Sequence, residues 1–237
     1  MGNNRMRPQA ETYDKKDDLL GVRTAIETHP VKLLSFVETG TADGTGILEI
    51  ERRYLGKPFK NLLTIEKSLE MAERYRDKFE GSSVLRMLGD SRDVLPTWGD
   101  QLGPTLWYLD AHYCRGYHAD AATNETLPLF RELEILSWRT EQDVVVVDDA
   151  GTFQQSRDDL RREGRGWGDV TFSGIEKLLK HVSLSYRCNR EFILHLNCSD
   201  TWPTPWLSGS KLDELQMRVI ERQKTRPPRR QIQSFNL

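Results

Sequence analysis

Four β-forming runs of this sequence end in an acid: Val37-Glu38, Ile65-Glu66, Leu88-Gly89-Asp90-Ser91 and Leu109-Asp110. A single carboxylate at such a place is ordinarily a helix cap or a solvated group. Four in succession point instead to one shared site. The first acid leads into Thr39-Gly40-Thr41-Ala42-Asp43-Gly44-Thr45-Gly46, a glycine-rich turn opening a helix. Glycine tolerates positive φ and lets a ligand approach the main chain, so a nucleoside fits there. The spacing is GxxxGxG, whereas a dinucleotide turn needs GxGxxG and a P-loop needs GxxxxGK[ST], which argues against NAD and ATP. Glu38 would repel a pyrophosphate but pairs with an ammonium or a sulfonium. Glu66 stands where a ribose diol lies in nucleoside-binding α/β sheets, and Asp90-Ser91 can meet an adenine edge.

Those acids need a scaffold that gathers strand ends. Short β-rich runs alternate with helical periodicity, which predicts crossover units and a mainly parallel sheet. Strands are expected at Leu33–Glu38, Asn61–Glu66, Ser83–Leu88, Thr105–Asp110, Val144–Val147, Leu184–Cys188 and Phe192–Asn197. The helices fall at Asp18–Thr28, Thr45–Tyr54, Ser68–Phe79, Ser91–Trp98, Glu125–Arg139 and Ser173–Lys180. Leu69, Ala72, Tyr75 and Phe79 share one side of the third helix and read as core. The last two strands, around Asn189-Arg190, form an antiparallel hairpin. The fold class is therefore α/β: a doubly wound, seven-stranded, mainly parallel sheet with an antiparallel C-terminal hairpin. Ligands of such sheets sit beyond the carboxyl ends of the strands.

The chain of 237 residues suits one domain, with 34 Lys+Arg against 36 Asp+Glu. That balance gives no pull toward nucleic acid or anionic membrane. No apolar run approaches the roughly 18 residues of a spanning helix, and the N-terminus lacks a leader-type apolar core, so a cytoplasmic protein is expected. Cys114, Cys188 and Cys198 include no CxxC pair and read as reduced thiols. The organisation expected is a polar extension over 1–17, the main domain over 18–207, and a C-terminal helix with a basic tail over 208–237.

Together the turn and the strand-end acids resemble the class I S-adenosylmethionine-dependent methyltransferases. Glu38-Thr39-Gly40 with Gly44 and Gly46 is similar to their first motif, and Glu66 to the acid that binds the ribose. Gly89-Asp90-Ser91-Arg92-Asp93-Val94-Leu95-Pro96 resembles the third-strand segment of catechol-type O-methyltransferases. The pair Leu109-Asp110 and Val147-Asp148-Asp149 looks like the fourth and fifth strand ends of metal-dependent O-methyltransferases, including those acting on macrolide and aminocoumarin sugars. The likeness spans about residues 30 to 200. It implies a Rossmann-like methyltransferase fold and a cofactor side of Glu38, Gly40, Thr41, Gly44, Thr45, Glu66, Lys67, Asp90, Ser91 and Asp110.

Methyl transfer from a sulfonium is an in-line displacement, so the protein must place the acceptor and remove its proton. A hard cation such as Mg²⁺ can bind both hydroxyls of a diol and acidify one. Asp110, Asp148 and Asp149 would supply its oxygens; the plainer reading makes them loop caps and hydrogen-bond acceptors. Catechol-type enzymes carry a lysine three residues after the first metal-binding aspartate. That position is Tyr113 here, so the adjacent His112 is the candidate base, with Asp110 beside it. A structural histidine is the alternative. His112, Cys114 and His118 match no zinc spacing. Glu125 complements a helix dipole or faces the site.

The long 151–169 loop, with Arg157, Arg161, Arg162, Arg165 and Trp167, is the expected lid. Its charges with Asp158, Asp159 and Glu163 are otherwise a solvated run. Trp202, Pro203, Pro205 and Trp206 suit core packing, a homo-oligomeric contact or acceptor stacking equally. The expected activity is O-methylation of a small molecule. Two rivals stay open: a nucleic-acid methyltransferase, which would use the basic tail but lacks the usual aromatic flipped-base motif, and a non-catalytic module that binds an adenosyl ligand.

Overall fold

The computed structural model describes residues 19–111, 127–150, 153, 170–179, 181–188 and 190–198. Seven strands form one sheet: β1 (Ser35–Thr39), β2 (Asn61–Glu66), β3 (Leu85–Leu88), β4 (Thr105–Leu109), β5 (Val144–Val147), β6 (Val182–Cys188) and β7 (Glu191–Leu196). Their spatial order is β3-β2-β1-β4-β5-β7-β6. β1 to β5 run parallel, and β7 inserts antiparallel between β5 and β6. The doubly wound sheet with its antiparallel edge is thus the observed architecture. β1 has β2 on one side and β4 on the other, so strand order reverses there and a crevice opens beyond their carboxyl ends.

Burial on both faces explains the unalternating strands. Every residue of β1, β4, β5 and β7 is buried, as parallel sheets covered on both sides require. On one face Val37, Trp107, Leu109, Val145 and Val147 pack against α4 (Ser91–Gly99), α5 (Leu129–Leu136) and α6 (Phe172–Leu178). On the other, Phe36, Leu106, Tyr108, Val144 and Val146 pack against α1 (Leu20–Thr28) and α2 (Thr45–Tyr54).

The third predicted helix breaks in two. α3 (Leu69–Arg74) ends at Tyr75, and a 3-10 turn (Arg76–Phe79) follows. The change of winding alters which residues share a face, so Met71 and Phe79 are buried while Leu69, expected in the core, is 56% exposed. β1 runs one residue further than expected, to Thr39, and β6 starts two earlier, at Val182.

Side chains cap the starts of α3, α4 and α6. Ser68 Oγ accepts from Met71 N at 3.3 Å, Asp90 Oδ1 from Arg92 N at 3.0 Å and Thr171 Oγ1 from Gly174 N at 3.0 Å. Beneath the opposite end of the sheet, Arg139 and Asp143 form a buried ion pair at 2.5 Å, with the guanidinium also donating to the carbonyls of Gly99, Leu102 and Gly103. Among the described residues no helix is long and apolar enough to cross a membrane.

Candidate functional site

The crevice at the end of β1 is built by main-chain geometry. Gly40 N donates to the Ile65 carbonyl at 2.9 Å and Asp110 N to the Thr39 carbonyl at 3.1 Å, tying the turn to β2 and β4. Gly40 has φ +85°, and a Cβ there would lie 2.6 Å from the Asp110 carbonyl oxygen. Only glycine meets both conditions. Gly44 caps α2 at φ +79°, where a Cβ would lie 2.5 Å from the Phe79 ring. Asp43, which sequence reasoning passed over, accepts from Thr45 N at 3.0 Å and from Thr45 Oγ1 at 2.9 Å, and pairs with Lys78 at 2.9 Å. Asp43 thus holds Thr45 at the start of the helix.

Glu38 lies under this turn, buried on β1. Thr64 Oγ1 donates to its Oε2 at 2.7 Å, and Thr41 Oγ1 is 2.6 Å from Thr64 Oγ1. Because the Thr64 proton is committed to Glu38, Thr41 is the donor in that second bond. Burial pushes the Glu38 pKa up to about 8, against the Thr64 hydrogen bond and with help from Asp110, Glu66 and Asp43. A buried acid with other acids around it favours a cation as its partner. Glu66 Oε2 accepts from Ala42 N at 3.0 Å and its Oε1 from Ser68 N at 2.8 Å. Those bonds fix the carboxylate at the crevice rim and use one acceptor direction on each oxygen.

Asp90, expected to meet an adenine edge, lies at the start of α4. It caps α4 and is gripped by Arg92 Nε at 2.9 Å, Arg92 Nη2 at 2.8 Å and Lys67 Nζ at 3.0 Å. Arg92, foremost, holds its carboxyl far below the usual range. Its role here is the cap that the plain reading of a strand-end acid allowed. Lys67 likewise serves Asp90.

Ser91 is buried next to Glu132, a residue of α5 that sequence reasoning missed. Burial raises the Glu132 pKa to about 7, while the Ser91 and Thr39 hydroxyls oppose that rise. Both hydroxyls are near enough to be felt by the charge, yet Glu132 Oε1 and Thr39 Oγ1 have no aligned hydrogen-bond partner among the described residues. Leu129, Glu132, Leu133 and Leu136 are the buried face of α5. A carboxylate at that apolar spacing was the available signal.

Asp110, Asp148 and Asp149 do not gather as a hard-cation site. Among the described residues no three His, Cys, Asp or Glu side chains are disposed to hold a metal. A guanidinium stands there instead: Arg190 Nε, from the turn between β6 and β7, lies 3.2 Å from Asp148 Oδ1 as an ion pair without hydrogen-bond alignment. A dication placed among the expected aspartates would meet that positive charge. Burial raises the Asp148 pKa to about 7, Asp110 and Asp149 add to the rise, and Arg190 opposes it. Glu191, also missed, is buried beside this pair. Its pKa rises to about 8 through burial and Asp148, against Arg190, the Gly21 amide and the Tyr108 hydroxyl.

His112, Cys114, His118 and Glu125 lie outside the described residues. So do nearly all of the 151–169 loop, Trp202 to Trp206 and both termini. The candidate base is therefore not placed.

No family model matches the chain, and no curated protein matches it. Solved structures do. The SAH-bound methyltransferase PaMTH1 of Podospora anserina has TM-score 0.52 and 14% identity, over 76% of this chain and 79% of that one. A putative methyltransferase of Haloferax volcanii, solved in complex with the Trm112 methyltransferase activator, has TM-score 0.50 and 12% identity, over 78% and 92%. The PH0226 protein of Pyrococcus horikoshii OT3 has TM-score 0.50 and 12% identity, over 81% and 93%. Likeness at such identities is one of fold. The chain has the Rossmann-like α/β fold of these structures, among them the two methyltransferases.

Proposed function

We propose that the protein is an S-adenosylmethionine-dependent methyltransferase acting on an oxygen of a small-molecule acceptor. The observation that carries this reading is Glu38, a buried acid at the reversal of strand order, roofed by a glycine turn that a Cβ at Gly40 would fill. A sulfonium nucleoside matches that chemistry, since its positive charge answers the buried acid while its sugar and base need close main-chain approach. When bound, it supplies a methyl group on a positively charged sulfur that leaves as a neutral thioether.

The residues of this chain divide the remaining tasks. Glu38 and Asp110 face the cationic part of the ligand. Glu66, held by two backbone amides, receives the ribose hydroxyls. Gly40, Thr41, Gly44 and Thr45 form the cradle, and Ser91 stands at the base side with Asp90 and Lys67 bracing it. His112, two residues beyond Asp110, takes the acceptor proton in this proposal. Placement and desolvation account for most of the rate in such a displacement. The guanidinium of Arg190 beside Asp148 supports a reading without a divalent cation.

Calorimetric titration with S-adenosylmethionine and with its demethylated product is the first test; both should bind, and Glu38→Ala should lose both. Transfer of a labelled methyl group to catechols, sugars or lysate metabolites then identifies the acceptor. Absence of heat with either ligand overturns the proposal.

A further inference from the structure

β7 pairs with β5 so that Phe192 stands against Val147. Continuing the register one step sets Glu191 against Asp148, and Arg190 reaches back over the end of β5. The guanidinium is half-exposed, with Nε 3.2 Å from Asp148 Oδ1. Burial opposes its charged form, and Asp148, followed by Tyr108, Asp149 and Asp110, favours it more strongly. The ion pair thus joins Asp148, just past the end of β5, to an arginine of the turn between β6 and β7. An arginine keeps its charge at any working pH and cannot be chelated away.

We propose that Arg190 is the resident cation of the acceptor side, taking among Asp110, Asp148 and Asp149 the place of a divalent ion. This rests on reading the carboxyl ends of β4 and β5 as the acceptor side of the proposed methyltransferase. A hard dication organises carboxylates by accepting their oxygens in an octahedron. The guanidinium organises Asp148 by charge at 3.2 Å and leaves its planar fork of donors for an oxygen that gathers negative charge as its proton departs. As the new C–O bond forms, that charge is consumed and the guanidinium ends unchanged. Arg190 is thus a positioning residue toward Asp148 and a specificity determinant for acceptors with an acidic hydroxyl.

Electron paramagnetic resonance of free Mn²⁺ in the presence of the full chain tests this without donor or acceptor. Wild type should leave the free-ion signal undiminished. Arg190→Met, which keeps the aliphatic stem, should remove one equivalent of it, and adding Asp148→Asn should abolish that uptake. Arg190→Lys, retaining the charge, should behave as wild type. Circular dichroism checks folding, and Arg190→Gln replaces the methionine variant if that one unfolds. The proposal fails if wild type binds one equivalent of Mn²⁺ that Asp148→Asn removes, and fails equally if Arg190→Met takes up no more than wild type. Loss of product binding in calorimetry would sink the proposed function alone, since no Mn²⁺ arm depends on it.

Discussion

Thr64 donates its hydroxyl proton to Glu38 across 2.7 Å, joining the middle of β2 to the buried acid of β1 directly beneath the glycine turn. The bond supports the ionised carboxylate against burial, which nonetheless pushes its pKa to about 8. Near neutral pH the unliganded protein therefore holds a proton on Glu38.

A cationic ligand reverses that balance. Placing a sulfonium beside Glu38 favours the carboxylate, so binding near pH 7 releases a proton. Its demethylated product, with a neutral sulfur, releases less. Titrations in buffers of different ionisation enthalpy should give buffer-dependent heats for the sulfonium and a smaller dependence for the product. Equal heats in all buffers would show that Glu38 does not sense the ligand. Thr64→Val should raise the Glu38 pKa further and weaken sulfonium binding roughly tenfold, the worth of a hydrogen bond to a charged group.

The unliganded protein should lose stability as pH rises through the neutral range. Glu38, Glu132 and Glu191 have folded pKa values near 8, 7 and 8 against the usual 4.5. Between those values the folded chain binds more protons than the unfolded one, so their contribution is complete below about pH 4.5 and is lost as pH rises through 7 to 8. Urea midpoints should fall from pH 6 to pH 8.5, and Glu132→Gln should flatten that slope.

Acid should destabilise the protein through a different pair. His29 Nδ1 and His195 Nδ1 are 3.0 Å apart, and His29 Nε2 lies 3.0 Å from the Gln142 carbonyl oxygen. That carbonyl can only accept, so neutral His29 carries its proton on Nε2 and His195 donates from Nδ1. Burial lowers the His29 pKa to about 4 and the His195 pKa further below its ordinary value, with His29 adding to the second shift. Stability from this pair is full above pH 6.5 and is lost as pH falls toward 4, at a cost on the order of 3 kcal/mol for His29. Denaturant titrations at pH 7, 5.5 and 4.5 check it; His29→Asn should be less acid-sensitive than wild type.

Two glycine substitutions should separate the site from the scaffold. At Gly40 an added methyl meets a carbonyl in a left-handed turn, so Gly40→Ala should abolish nucleoside binding and cost about 1–3 kcal/mol. At Gly21, in α1, a Cβ would lie 1.7 Å from Glu191 Oε2, so Gly21→Ala should push α1 off β7. The overpacking should cost about 1–3 kcal/mol. Glu191→Ala in the same chain should restore part of the stability, whereas it cannot rescue Gly40→Ala. Thermal melts with and without ligand distinguish the two.

Asp90→Ala should weaken folding more than ligand binding. It removes an N-cap worth about 1 kcal/mol and unpairs Lys67 and Arg92. A melting shift with a nearly unchanged ligand affinity would match its placement as a cap; a large affinity loss at constant stability would make it a ligand contact after all.

Local chemistry fixed the parts of this protein that depend on neighbours in sequence. β2 and β5 run where their apolar residues predict them, and α2 spans Thr45–Tyr54 as its periodicity requires. The glycine turn follows β1 because positive φ at Gly40 and Gly44 is a property of glycine wherever it stands. Glu38 and Glu66 were legible for the same reason, each sitting one strand-end before a turn. Partners distant in sequence were not. Asp90 and Asp110 are both strand-end acids, yet Lys67 and Arg92 claim the first, and nothing in the spacing of residues 88–93 distinguishes them. Asp148 is separated from Arg190 by 42 positions and meets it only because β7 folds back beside β5. Glu132 and Glu191 are buried only once packing closes over them. Periodicity and turn chemistry are short-range and survive in the bare sequence, while the sign of the charge beside a buried carboxylate is set by strand order, which arises only when the sheet assembles.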